Sequence, residues 1–591
     1  MNIAPTQFYL QQLEQYKEEL TLVKRKLNIS SSIRLLVFLA IAFCIYLFWD
    51  NLRWMVPFLT VGIGLFLFLI TRHTKLRYLK NFTQALVDYN SRELRILRRD
   101  FHDLPDGTAY NDPTHAYSQD IDLFGRGSFF QYANRTALQS GTDLLASKFL
   151  SNNVTEIQEK QEAIKELGAL AVWRQQFYAI AKLVKTEASA GQVSDWLENY
   201  SSFTPSFSKA LSYGFSGITI LSFIAYYFQF ISGYILFSLF GLGLLITSRF
   251  MKKTSDLANL ANKTQSTFNQ YSKLILSIEG QEMSSRLLSR KRELIINTET
   301  ATSGKVQSFS KLLDSLDQRN NVLVAIFING FFLRDILVAH KIEKWIEKHK
   351  EEVPVWFDTI AFFDAYNSLG NYAFNHPLYQ YPEIISKGNT LNSTQAIHPL
   401  LDPTIAVSSD IKIADEQFFI VTGANMAGKS TFLRTVALQI VMGNLGLPLS
   451  AQKVAYQPIK LITSMRTTDS LADDESYFFS ELKRLKFIVD EIKNDRYFII
   501  LDEILKGTNS TDKAIGSRKF VDKLVASKST GIIATHDLSL TEASKELSPV
   551  ENYFFDARIV DDELFFDYTL KKGVCENMNA SFLIKKMEIV D

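Results

Sequence analysis

Apolar residues are unevenly distributed along this chain. Leu35 to Trp49 is uncharged, Asp50, Asn51, Leu52 and Arg53 interrupt the run, and Trp54 to Ile70 is again uncharged. A second run, Ala210 to Ser248, carries no charged residue. A bilayer span needs about 17 to 25 residues, which Ile33 and Thr71 help the first pair to reach. A helix packed at the surface of a soluble core shows a polar stripe, and these runs have none. The pattern predicts two transmembrane hairpins, 33–72 and 210–248, with the second turn near Gln229 to Gly233.

Charge orients them. Lys24, Arg25, Lys26 and Arg34 precede the first hairpin, Arg72, Lys75, Arg77 and Lys80 follow it, and its turn holds one acid and one Arg. Lys209 precedes the second hairpin and Arg249, Lys252 and Lys253 follow it. Positive residues stay on the cytoplasmic side, so the expected location is the inner or plasma membrane, multi-pass, with both termini cytoplasmic. The first apolar run begins late, follows Glu14, Glu18 and Glu19, and lacks a small-residue cleavage site, so it is expected to be retained rather than removed as a signal peptide.

Asn153 to Ser201 and Met251 to Lys350 have mixed charge and few prolines, and read as helical arms interrupted by little except Gly280 and Gly304. With 591 residues the chain exceeds one core, and 47% hydrophobic content excludes general disorder. A formal charge of +1 gives no bulk attraction for nucleic acid. The modest basic excess from Arg249 to Arg319 reads as a solvated helix face beside a membrane, with a nucleic-acid stripe as the alternative. The two cysteines, Cys44 and Cys575, cannot form a zinc cluster or a disulfide framework.

The chemistry lies in the last third. Gln417 to Thr422 reads as a buried strand running into Gly423, Ala424, Asn425, Met426, Ala427, Gly428, Lys429, Ser430 and Thr431, followed by a helix through about Val441. This is a P-loop in its strand-loop-helix setting: glycines let the backbone wrap phosphate, loop and helix amides bind its charge, Lys429 adds a cation, and Ser430 coordinates Mg2+. Tyr497 to Leu501 reads as a second buried strand, ending in Asp502 and Glu503. Asp502 is the second magnesium residue, and Glu503 is the candidate to orient and polarise the attacking water. A third strand, Gly531 to Thr535, ends in His536 and Asp537, which places an imidazole beside the γ-phosphate.

The loop from Thr422 to Thr431, with Asn425 and Met426 inside it, resembles the Walker A of MutS-type ATPases. The resemblance extends to Asp469 through Ser476 to Glu481, to Asp502, Glu503 and Ile504 with Lys506 to Ser510, and to Ala534, Thr535 and His536. Weaker similarity covers Asp122 to Phe149, Thr155 to Leu167, Phe363 to Leu369, and His398 with Pro399. It implies an ATPase using ATP and Mg2+ and a homodimer with composite sites, in which Ser476 of one subunit reaches the γ-phosphate held by the other. Ala424 and Ala427 stand where the family usually has Pro and Gly. The N-terminal mismatch-reading module has no counterpart.

The expected fold class is mixed: α-helical membrane hairpins and a helical core and lever region, plus a C-terminal α/β P-loop ATPase domain of the ABC/MutS type. The expected division is 1–32 cytoplasmic helix, 33–72 hairpin, 73–209 helical core, 210–248 hairpin, 249–395 lever and core, and 396–591 ATPase. Three function classes follow: an ATPase moving helical levers on DNA, a membrane ATPase regulating a protein partner, and an ABC-type transporter. The last is disfavoured by four spans and by the lack of an LSGGQ-like signature before Asp502.

Overall fold

The computed structural model describes residues 4–184, 190–296, 301–317, 322–424, 426–466, 477–560 and 563–575. The expected site residues Asn425 and Ser476 lie outside the described residues.

Two helices open the chain, both much longer than their apolar runs. α1 (Pro5–Leu47) and α2 (Leu52–Leu97) contain 43 and 46 residues and pack along one another. Asn51 N donates to Phe48 O in the turn between them. Positions 32 and 72 fall inside these helices, because no Gly or Pro near them interrupts the backbone ladder.

The next helices are α3 (Phe129–Ala133), α4 (Gln139–Leu150), α5 (Ile157–Ala169), α6 (Ala171–Lys182) and α7 (Ala190–Glu198). The second long hairpin is α8 (Ser208–Tyr227) and α9 (Gly233–Glu279), joined where Gln229 takes a φ of 61° and the Ser232 hydroxyl accepts from Tyr234 N. α1, α2, α8 and α9 are long and apolar enough to cross a membrane, and their apolar stretches stay exposed, as at Leu36, Phe43, Leu221 and Phe237.

The arm expected from Met251 to Lys350 is more broken than its charge pattern suggested. α9 ends at Glu279 beside Gly280, and α10 (Arg286–Glu293), α11 (Thr302–Asp317), α12 (Val322–Phe332) and α13 (Arg334–His349) follow. Gly304 lies within α11, where a glycine weakens a helix without ending it. The break after α12 is made by Leu333, at a φ of 49°.

α14 (Glu352–Asn375) is the spine of the helical region. Its residues from Trp356 to Tyr372 are nearly all buried, because α4, α5, α6 and α9 pack around it. Such enclosure removes the polar stripe of a surface helix. A buried polar knot fixes it to the first hairpin. Glu93 on α2 accepts from Arg135 Nε at 2.5 Å, and its other oxygen accepts from the Asn371 and Asn375 amides at 2.9 and 3.0 Å. The Tyr9 hydroxyl of α1 donates to Asn375 Oδ1 at 2.7 Å. Burial opposes the charge on Glu93, but Arg135, Arg92 and the two amides hold its carboxyl below the usual range.

Ten strands form two sheets among the described residues. β1 (Glu383–Ile384), β2 (Asn389–Ala396) and β3 (Ser409–Ala414) belong to the smaller sheet, and β4 (Phe418–Gly423) to the larger. α15 (Lys429–Leu445), β5 (Lys453–Tyr456), β6 (Lys460–Ser464) and α16 (Tyr477–Glu491) come next. The domain continues through β7 (Tyr497–Asp502), α17 (Ser510–Ala526), β8 (Thr530–Ala534), α18 (Ala543–Glu546), β9 (Val550–Val560) and β10 (Glu563–Lys572). The larger sheet runs β10-β9-β4-β8-β7-β6, parallel except at the β9–β10 ribbon. Val421 and Asp502 both register with Ala534, so β4, β8 and β7 end along one edge. Ligands bind at that edge of such sheets.

One apolar core runs from α14 into α15 and the sheet. Polar ties reinforce the joint. Asp120 accepts from Thr463 Oγ1 and from the Met465 and Arg466 amides, while Asp122 pairs with Arg434 of α15 and with Arg466. Lys160 of α5 donates to Asn444 O in the last turn of α15. Arg99, just beyond α2, donates to Pro399 O at 2.7 Å and Leu401 O at 2.8 Å.

Candidate active site

The expected strand Gln417–Thr422 is observed as β4, buried throughout, and it delivers the glycine-rich loop to the sheet edge. Gly423 has a φ of 144°, and a Cβ there would stand 2.5 Å from Phe555 O, so only glycine admits β9 this close. Gly428, at a φ of 109°, opens α15, whose first-turn amides lack partners within the helix and suit an anion. Ala424 and Ala427 keep negative φ, and the left-handed position falls on Met426, at 67°. Alanine in place of the family's Pro and Gly therefore introduces no backbone strain here. Met426 is 78% exposed at the rim.

Lys429 is buried, and its ammonium donates to Gly423 O at 2.7 Å and Ala424 O at 2.9 Å. Desolvation lowers its pKa, against the pull of Asp502 and Glu503. The Ser430 hydroxyl, in the first turn of α15, donates to Asp502 Oδ2 at 3.0 Å. Burial pushes the Asp502 carboxyl up. This hydroxyl and carboxylate fit a small dication that prefers oxygen, as Mg2+ does.

Glu503 leaves β7 at a φ of 52° and is anchored by its amide, which donates to Ala534 O at 2.9 Å. The turn directs its carboxylate back over the sheet edge, where Oε1 stands 3.1 Å from His536 Nε2 and Oε2 3.6 Å from Lys506 Nζ. Burial, and then Lys429 at 3.4 Å, lower the His536 pKa and favour a neutral imidazole. Nε2 thus stands between Glu503 Oε1 and the Lys429 ammonium, and the imidazole tautomer decides which of the two it bonds.

The structure thus brings Gly428, Lys429, Ser430, Thr431, Asp502, Glu503 and His536 around one cavity of about 740 Å3. It adds a wall that local motifs did not reveal: His398, Leu401, Ile405 and Tyr568. His398 had entered only with the weaker similarity. These residues come from a loop after β2 and from β10, and no local spacing signals that they converge. Burial, followed by Arg434 and Arg99, depresses the His398 pKa to about 4. Glu481 on α16, the end of the segment of family resemblance, has a role the sequence did not indicate: its carboxylate accepts from Leu505 N at 2.5 Å and Lys506 N at 3.0 Å and so clamps the loop behind Glu503.

A glycine-rich loop between a central parallel strand and a helix, facing two acids from a neighbouring strand, defines an α/β domain built to bind an anion at its sheet edge. Residues 419–589 match the family model described as MutS domain V. The DNA mismatch repair protein MutS of Desulfatibacillum aliphaticivorans is 31% identical over 224 residues, 36% of this chain and 25% of that protein. MutS protein homolog 4 of Homo sapiens is 31% identical over 237 residues, covering 38% and 24%. The MutS of Finegoldia magna is 27% identical over 294 residues, covering 48% and 32%. The alignments span about a quarter to a third of the length of these relatives. In this region, and at this level of identity, the chain is similar to MutS proteins.

Proposed function

We propose that this chain is a membrane-anchored, homodimeric MutS-like ATPase that couples ATP binding and hydrolysis to movement of its helical arms. The observation that carries the reading is the convergence of Lys429, Ser430, Asp502, Glu503 and His536 on one cavity beside an anion-binding helix start. In the proposed mechanism, residues 423–431 wrap the phosphates and Lys429 exchanges its two carbonyl partners for phosphate oxygens. The apolar wall of Leu401, Ile405 and Tyr568 receives the base. Ser430 and Asp502 would hold Mg2+, which would supply positive charge to the phosphates. Glu503 orients water for attack, and His536, beside the Glu503 carboxylate, turns an N–H to the γ-phosphate when nucleotide binds. Nucleotide affinity and turnover of the purified protein, with Lys429→Ala weakening binding, test this reading.

Composite sites predict a specific result. Lys429→Ala and Ser476→Asp subunits, each inactive as a homodimer, should recover roughly half of a dimer's activity when mixed, because one shared site then escapes both defects. Self-contained sites would recover nothing.

Topology follows from the flanking charges. Single cysteines at Asn51 and Ser232 should react with an impermeant thiol reagent in intact cells, while one at Glu14 should not. The reverse pattern would invert the orientation.

The contacts favour the membrane segments as the output, since Arg99 joins α2 to the loop walling the cavity. A DNA duplex between the arms is the second reading, supported by relatives named DNA mismatch repair proteins. Duplex binding measured across a salt series, with and without ATP, decides between them, since phosphate contacts give a steep salt dependence. No tenfold preference for a mismatched duplex is expected.

A further inference from the structure

α12 is too short to cross a bilayer, its 11 residues rising about 16 Å. Yet residues 322–333 hold no charge and only one strongly polar side chain, Asn329. The helix lies along α8 and α9, with its backbone against that of α9. A Cβ on Gly243 would fall 2.0 Å from Gly330 O, and one on Gly330 would fall 2.3 Å from the Phe240 ring. Phe331 packs against Phe223 and Phe240, with ring centroids at 5.0 and 5.1 Å. Gly243 lies about 9 Å along α9 from Arg249, at 1.5 Å per residue, inside the uncharged run that begins beyond that arginine.

The entry and exit are on one side. α11 runs antiparallel to α9, with Phe309 against Phe268, and α12 continues in that direction. After Leu333 the chain reverses into α13, which returns to the segment before Lys209, where Glu343 accepts from Phe203 N. The break is closed by a side chain: Asn329 is buried, and its Oδ1 accepts from Asp335 N at 2.9 Å. A helix break in a water-poor setting requires this internal satisfaction. Outward, Ile326 and Phe327 are 44% and 55% exposed, beside helices whose own Leu221, Leu242 and Leu245 are exposed.

We propose that residues 322–333 form a re-entrant segment inserted in the cytoplasmic leaflet alone, its outer face covered by acyl chains. The proposal rests on the membrane reading of the α8–α9 hairpin, whose lipid-facing surface α12 continues.

The test uses the full chain, its native cysteines replaced, in phosphatidylcholine–phosphatidylglycerol vesicles. Nitroxides are placed singly at Ile326, Phe327, Leu221 and the exposed Ser308 of α11, and retained nucleotide binding checks each fold. The expected result is oxygen access several-fold above that of a nickel chelate at Ile326 and Phe327, at shallower depth than Leu221, with nickel access at Ser308. Nickel access at Ile326 and Phe327 while Leu221 prefers oxygen would overturn the proposal alone. Protection of Ile326 and Phe327 from both reagents would overturn it in favour of protein cover, with dipolar broadening marking a second copy. Nickel access at Leu221 would overturn the membrane reading and the proposal with it.

Discussion

Glu503→Gln is expected to lower steady-state ATP turnover by about 10²- to 10³-fold while leaving nucleotide affinity within a few-fold of the parent. The amide keeps the size of the side chain and its place beside His536 Nε2, which stands 3.1 Å from Oε1. It cannot draw a proton from water. Phosphoryl transfer depends on how its nucleophile is positioned and polarised, so the loss falls on the chemical step. The contrast with Lys429→Ala is diagnostic. In the proposed mechanism Lys429 meets the phosphates through its buried ammonium, and its removal should weaken binding before chemistry is reached. Titration of a fluorescent nucleotide analogue, together with phosphate release, separates the two; unchanged release from Glu503→Gln would refute the assigned role.

Arg135→Ala is expected to destabilise the helical region by about 3 to 5 kcal/mol, the cost of breaking a buried ion pair from one side. Its side chain is 4% exposed and that of Glu93 0%, so truncation strands a carboxylate where water cannot replace the lost donor. Removing both charges, as in Glu93→Gln with Arg135→Met, should recover much of the loss. The pH dependence has a fixed sign. The folded pKa of Glu93 is depressed, so its contribution is fully present above the ordinary carboxylate value, about 4.3, and disappears as pH falls through the folded value. Thermal unfolding in detergent across that range should show a steeper acid loss for the parent than for the double variant. A single Arg135→Ala substitution without effect would mean that the polar knot does not hold α2 to α14.

The parts of the architecture carried by local pattern were legible in the sequence. Uncharged runs marked the long helices, and the buried strands before Gly423 and Asp502 placed the glycine-rich loop and the two acids within a residue or so of their observed positions. Contacts that depend on distant segments were not. Leu401, Ile405 and Tyr568 meet only because β10 and the loop after β2 fold back over the sheet edge. α12 escaped notice because an apolar stretch of 11 residues falls below the length at which hydrophobicity alone signals a span. The enclosed α14 likewise lacks amphipathic periodicity, and its role emerges only from its neighbours. The left-handed turn at Glu503 has no marker at all, since glutamate gives no hint of positive φ.

α2 is a rod of about 69 Å at 1.5 Å per residue, and Arg99, two residues beyond its end, grips the backbone of the cavity wall. Thermodynamic linkage makes any such connection run in both directions. If nucleotide shifts the rod, then whatever tilts the rod changes nucleotide affinity by the same free energy. If α2 spans a bilayer as proposed, bilayer thickness, which bears on the tilt of a spanning helix, would thereby act on the proposed nucleotide site. Nucleotide affinity in vesicles of graded acyl-chain length would then report bilayer thickness, and an affinity independent of chain length would break the proposed link between rod and cavity.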